Sequence, residues 1–292
     1  MKKKILILGS AGMAGHVITL YLRELKDQYQ VIDISRSENL IKPSLLLDVV
    51  NFDKLEELIS SQRTDLIINC IGLLNQCAEN CPDQAVLLNS YLPHFLEVKT
   101  KNSLCKVIHI STDCVFSGQK GKYTENELKD GKGFYAQSKA LGEIMNDKDL
   151  TIRTSIIGPE LKNNGIGLFH WFSEQNGTIK GYKQALWSGV TTIELAKAIV
   201  TFIEKDLTGI YHLTNNTSIS KYDLLRLLKN EFPNSGVTDI IPDESYKVDK
   251  SLLNTRTDLN FTIPPYSKMI KEMKIWIENN YDKYPHYIKI IS

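Results

Sequence analysis

A doubly wound α/β fold, in which helices cover both faces of a parallel sheet, is predicted for this 292-residue chain by three observations. Short β-branched runs alternate with longer amphipathic segments through the first half. Several runs are continuously apolar, as strands covered on both faces are. The first run ends in a glycine-rich turn that opens a helix, a joint suited to holding phosphate groups.

Taken in order, "KILILG" (4–9), "VIDIS" (31–35), "LLLD" (45–48), "DLIINC" (65–70), "KVIHIST" (106–112) and "LTIRTS" (150–155) read as strands. Between them "MAGHVITLYLREL", "NFDKLEELISSQ", "DQAVLLNSYLPHFLEVKT" and "YAQSKALGEIMN" read as helices. Right-handed crossovers join such units into one sheet. After Gly158-Pro159 the chain becomes rich in Gly, Asn and aromatics, with weak periodicity. A helix from about Thr192, the strand "GIYHLT", the helix "KYDLLRLLKNEF" and a segment carrying Pro242, Pro264 and Pro265 follow. The expected organisation is a dinucleotide-binding unit over 1–158, completed by about 188–215. A smaller, more irregular substrate-binding lobe would comprise 159–187 and 216–292, at the carboxyl edge of the sheet.

Composition narrows the function. A formal charge of +1 supplies no general attraction to nucleic acid or anionic lipid, so any bound anion requires a local site. The apolar run Ile5–Leu8 in "MKKKILILGSAGMAG" is shorter than a secretory signal needs, and no run approaches the roughly 20 residues of a membrane span. The expectation is a cytoplasmic protein. Five cysteines without framework spacing, and six histidines without metal spacing, predict reduced thiols and no metal. His109, mid-strand, reads as a structural histidine.

"LILGSAGMAGHV" sets Gly9, Gly12 and Gly15 in a G-x-x-G-x-x-G pattern, with Ala11 and Met13 between them. Gly9 permits the tight turn, Gly12 lets backbone approach a pyrophosphate, and Gly15 packs the helix on the strand. The second strand closes with Ser35, followed by Arg36. A hydroxyl and a guanidinium there suit a 2′-phosphate, which predicts NADPH. A register that placed Asp33 at the strand end would predict NADH instead.

The longer glycine spacing and the Tyr135-x-x-x-Lys139 pair of "FYAQSKALGE" resemble the extended short-chain dehydrogenase/reductase family. That resemblance implies catalytic roles for Tyr135, Lys139 and the strand-end hydroxyl of Thr112, with Ser111 its close competitor. It also places Asp48 at the adenine amino group, Val49 beside it through backbone, and Cys70, Ile71 and Gly72 beside the cofactor ribose. Chemically, reducing a ketone takes a hydride from a nicotinamide and a proton for the developing alkoxide. One helical turn sets the Lys139 ammonium on the face of the Tyr135 phenol, where it would lower the phenol pKa. Thr112 would donate to the forming oxyanion.

Within that family "STDCVFSG", "YTENELKDGKGFYAQSKALGE" and "IRTSIIGPE" resemble the dTDP-4-dehydrorhamnose reductase group. Cys114 stands where that group has a tyrosine, and Ile156 where it has a tryptophan. The resemblance implies a nucleotide-linked 4-keto-6-deoxy sugar as substrate, dTDP-linked or UDP-linked and N-acetylated. Asp113, Cys114, Phe116, Ile156 and Trp187 are expected beside it, although a tryptophan in an apolar stretch such as that of Trp187 is more often core. An epimerase, an epimerase–reductase and a non-catalytic NADP-binding regulatory subunit are the competing functions of the same scaffold. The expected partners are the nucleotide sugar and, at most, a second copy of the chain as a homodimer.

Overall fold

The computed structural model describes residues 2–291. Six strands arise in the first half: β1 (Lys3–Leu8), β2 (Tyr29–Ser35), β3 (Leu45–Leu46), β4 (Leu66–Asn69), β5 (Lys106–Ile110) and β6 (Leu150–Arg153). Strands β7 (Ile156–Ile157), β8 (Gly177–Trp187), β9 (Val190–Thr191), β10 (Gly209–His212), β11 (Ile219–Ser220) and β12 (Val237–Asp249) follow. One sheet holds seven of them in the order β10-β6-β5-β4-β1-β2-β3, and every pairing within it is parallel. Ile5 to Leu8 and Ile67 to Ile68 are fully buried, which is why these runs are apolar without alternation.

Strand order reverses direction between β1 and β4, opening a crevice at their carboxyl ends. The first helix, Met13–Glu24, presents Val17, Ile18 and Leu22 to the sheet and packs against the helix Thr192–Glu204. The latter leads into β10, the outermost strand of the large sheet.

Four local features depart from the sequence reading. Strand β3 is two residues long, so Asp48 lies beyond it on an exposed turn. The helix expected over 83–100 contains a wider π turn, Val86–Tyr91. It lies before Pro93, which has no N–H to offer the Asn89 carbonyl one turn back. The helix carrying Tyr135 runs Gly133–Leu141 and stops short of Asn146. Gly142 passes so close to that Asn89 carbonyl that a Cβ would sit 1.8 Å from its oxygen, and the chain leaves the helix there.

The fourth lies in the second half. The segment with weak periodicity holds the 11-residue strand β8, centre of a three-stranded sheet ordered β11-β8-β12. Its inward positions include Gly181, which has no side chain, and Ala185, whose side chain is a single methyl, and these hide the period-2 signal. Gly181 is tight because Tyr222 Cα would lie 2.7 Å from any Cβ. Pro242, expected in an irregular segment, sits within β12 opposite Gly181. An edge strand tolerates a residue without an N–H.

Candidate active site at the carboxyl edge of the sheet

Backbone geometry makes the glycine turn. Gly9 takes φ +85°, and a Cβ on it would meet Ile71 at 2.8 Å. A Cβ on Gly15 would fall 2.1 Å from the Gly9 carbonyl oxygen, so only glycine allows the helix this close to the strand. Gly12 is the N-cap of the first helix, and no side chain caps it. The free N–H groups of that first turn therefore face the neighbouring space, as anion sites require.

That space is a cavity of about 340 Å³. Gly12, Met13 and Ala14 form one wall, and Cys70, Ile71 and Gly72 after β4 form the next. Ser111, Thr112, Asp113 and Cys114 after β5 close it with Tyr135, Lys139 and Ile156. Five separate stretches of chain thus meet at one point. A second cavity of about 610 Å³ adjoins it and shares Asp113, Cys114, Ser155, Leu168 and Lys221. Trp187, Tyr182, Tyr246, Lys180 and Lys250 line its outer part.

Hydrogen bonding separates the two candidate hydroxyls. Ser111 Oγ donates to Glu143 Oε1 at 2.8 Å, and the same carboxylate takes both nitrogens of a buried Arg153 fork at 2.7 and 2.8 Å. Thr112 Oγ1 makes a longer bond, 3.2 Å, to Asp113 and accepts from Cys114 N–H. Ser111 is committed to a structural network, whereas Thr112 faces the cavity beside Tyr135.

Lys139 is buried, donates to the Ile110 carbonyl at 2.7 Å and lies 3.3 Å from His109 Nε2. Burial lowers its pKa to about 8 against the opposing charges of Glu143 and Cys70. Tyr135 differs from expectation. Desolvation pushes its hydroxyl above the usual phenol range and the Cys114 and Asp113 charges add to that, while a Thr112 hydrogen bond opposes them. Lys139 is engaged with the strand carbonyl, so the ammonium does not set the phenol's acidity in this arrangement. His109 is a buried structural histidine that also receives Asn69 Nδ2–H at 3.2 Å, directly beneath Lys139.

Other expected residues fall in different places. Gly9, Ala11 and Gly15 shape the turn without lining the cavity. Ser35 ends β2 and is buried, its hydroxyl bonded to Ser37 O and Asn39. Arg36, one residue on, is exposed and makes no ion pair among the described residues. Asp33, two residues before the strand end, is fully buried, and Arg23 and Ser44 hold its carboxylate. Val49 is buried in the core. Trp187 is both core and wall: it is buried, its indole N–H donates to Ser155 at 2.9 Å, and Lys221 stands over its ring. Phe116 is a correction. It is wholly buried, stacked on Tyr123 at 4.3 Å beneath Arg153, and lines neither cavity, because it packs with Val115, Tyr123 and Leu252 in a core of its own.

Sequence reasoning also missed four contributors. Lys221 and Ser155 stand where the two cavities join. Asn89, on the π turn, clamps Leu73 through both its backbone groups and bonds Ser138 on the Tyr135 helix. Pro93, four residues later, was the available signal. Glu79 accepts from Phe134 N–H and Tyr135 N–H, each at 3.1 Å, and nothing local marks a cap 55 residues away.

A parallel sheet with a glycine turn at its switch point, a strand-end threonine and a Tyr-x-x-x-Lys helix is the arrangement of extended short-chain dehydrogenases/reductases. Residues 2–270 match the RmlD substrate binding domain, and the chain belongs to that family, the dTDP-4-dehydrorhamnose reductase-like group. It is 25% identical over 251 residues to a dTDP-4-dehydrorhamnose reductase of Aggregatibacter actinomycetemcomitans, covering 82% of each. It is 22% identical to methionine adenosyltransferase 2 subunit beta of Xenopus tropicalis, over 79% of this chain and 72% of that one. A dTDP-4-dehydrorhamnose reductase of Bacillus anthracis, solved in complex with NADP, superposes with a TM-score of 0.81 at 21% identity. That likeness covers 94% of this chain and 99% of that one, and shows a common fold.

Proposed function

We propose that this protein is an NADPH-dependent reductase of a nucleotide-diphosphate 4-keto-6-deoxy sugar. The observation that carries the reading is the meeting of Thr112, Tyr135 and Lys139 with the Gly12–Met13 backbone in one cavity. The residues present fit a dinucleotide: Gly9 and Gly15 let the helix start close against the strand, and the uncapped helix turn supplies N–H donors toward the cavity. Gly12 and Met13 would hold the pyrophosphate and Arg36 a 2′-phosphate, with Asp48 and Val49 near the adenine and Cys70, Ile71 and Gly72 along the ribose. The bound cofactor supplies the hydride.

The chain's own groups do the rest. Thr112 orients the carbonyl and donates to the oxygen as charge develops on it. Tyr135 gives that oxygen its proton. Its high pKa keeps it protonated before reaction, and a developing alkoxide is a far stronger base than the carbonyl it replaces. Lys139, cationic below about pH 8, can donate to a cofactor ribose from the position it now holds against Ile110 O.

A nucleotide diphosphate suits the adjoining cavity, where Lys221 and Lys250 flank Asp113 and Cys114, with aromatic rings of Trp187, Tyr182 and Tyr246 beyond. Cys114 and Ile156 would face the sugar. In this reading 1–158 with 188–215 form the cofactor unit, and 159–187 with 216–292 the substrate lobe. A non-catalytic NADP-binding subunit is the second reading, favoured by the likeness to a methionine adenosyltransferase subunit. NADPH oxidation by the isolated protein with enzymatically prepared dTDP- and UDP-linked 4-keto-6-deoxy sugars decides between them. Turnover supports the reductase; NADP+ binding without turnover on any of them supports the subunit.

A further inference from the structure

We infer that Tyr284, near the C-terminus, is a positioning residue for the glycine turn, acting through His16. The inference rests on the proposed cofactor site and concerns a contact the proposed mechanism does not use. Tyr284 and His16 are both fully buried. Trp276 Nε1–H donates to Tyr284 Oη at 3.0 Å, and Tyr284 Oη lies 2.9 Å from His16 Nε2. On the ring's other side, His16 Nδ1 lies 2.8 Å from the Gly12 carbonyl.

Donor and acceptor chemistry leaves one assignment. An indole N–H only donates, so the phenol oxygen accepts from Trp276. A carbonyl only accepts, so His16 Nδ1 donates to Gly12 O, and Nε2 is left to take the phenol's proton. His16 Nε2 is then the acceptor, and its single ring proton sits on Nδ1. That proton is a second donor to the Gly12 carbonyl, which also accepts the His16 backbone N–H at 3.1 Å. Burial lowers the His16 pKa to about 4, so the ring is neutral and this tautomer persists at neutral pH. The relay runs in one direction, from Trp276 to Gly12.

Its end point is the peptide that matters for a bound anion. The Gly12 carbonyl and the Met13 N–H belong to one planar unit, so fixing the first aims the second. The helix bond from His16 N–H holds that carbonyl from one direction, and the imidazole proton holds it from a second. The tyrosine's own segment is held separately: Tyr287 Oη accepts from Glu160 N–H at 3.2 Å and meets His170 Nδ1 at 2.9 Å. Removing the Tyr284 hydroxyl therefore loosens the turn without releasing the segment.

The test is Tyr284→Phe, which keeps the ring and deletes the relay. Titration calorimetry with NADP+ is expected to show affinity reduced about three- to tenfold, the range of one net hydrogen bond, with kcat at saturating NADPH within about twofold. Tyr266→Phe, which also loses a buried phenol hydrogen bond but lies away from the turn, should bind NADP+ as the unaltered protein does. Equal NADP+ affinity in Tyr284→Phe overturns the inference, as does an equal loss in both variants. If Tyr284→Phe does not fold, NMR of ¹⁵N-histidine-labelled unaltered protein still decides. An Nδ1–H tautomer for His16 supports the relay and Nε2–H refutes it. Failure of the unaltered protein to bind NADP+ would instead sink the proposed cofactor, leaving the tautomer measurement to judge the relay.

Discussion

Glu79→Ala tests whether the Tyr135 helix is held by a cap from outside itself. The helix Gly133–Leu141 has Lys132 at its N-cap, which makes no capping bond, and both acceptors at its start are oxygens of Glu79. Gly133 adopts φ +85° with Glu79 Oε1 only 2.6 Å from where a Cβ would be, so the chain is shaped around this carboxylate. Losing an N-cap costs about 0.5–2 kcal/mol, and losing an anion at a helix start about 0.3–1 kcal/mol. Glu79 is exposed, so solvent recovers part of both, leaving about 1 kcal/mol for Glu79→Ala. Glu79→Gln, which keeps one good acceptor, should cost about half of that. In a chain of this size about 1 kcal/mol lowers Tm by roughly 2 °C. Because Tyr135 N–H is one of the two capped groups, kcat should fall about two- to fivefold, with NADP+ affinity nearly unchanged. Thermal unfolding and steady-state kinetics of the three proteins check this. Unaltered Tm and kcat in Glu79→Ala would refute the argument.

Three further outcomes are expected. Tyr135→Phe should abolish turnover and retain NADPH affinity; residual turnover near the original rate would remove the phenol from the mechanism. Arg36→Ala should raise KM for NADPH about tenfold or more, the worth of a charge-assisted hydrogen bond, while leaving NADH kinetics alone. Equal effects on both cofactors would place the 2′-phosphate elsewhere. Glu143→Gln should cost about 3–5 kcal/mol at pH 7, because Arg153 loses its buried partner. Burial pushes the Glu143 pKa up, but Arg153, Lys129 and Ser111 together hold it below its ordinary value. A depressed carboxylate contributes fully above its unfolded pKa and loses that contribution as pH falls through the folded one. The stability gap between the two proteins should therefore be constant from pH 7 to about 5 and shrink below about pH 4.5. Urea titrations showing a constant gap down to pH 3.5 would contradict it.

The sequence by itself determined the sheet, because its cause is local. Continuous apolar runs such as Ile5–Leu8 and the glycines at 9, 12 and 15 answer to strand burial and to one tight turn, and both leave short-range patterns. It also placed Ser35 at the end of β2, with Asp33 two residues short of that end. Strand β8 was hidden because glycine and alanine occupy two of its inward positions, Gly181 and Ala185, and Gly181 packs against Tyr222 of the helix starting at Lys221. Only the tertiary structure decided that Ser111 is spent on Glu143, that Phe116 belongs to the core, and that Lys139 rests on a strand carbonyl instead of the phenol. Each depends on partners far away in the chain, and so do the cap from Glu79 and the brace from Tyr284. Hydrogen bonds of that kind leave no periodicity to read; they exist only once folding has brought the partners within 3 Å or so of one another.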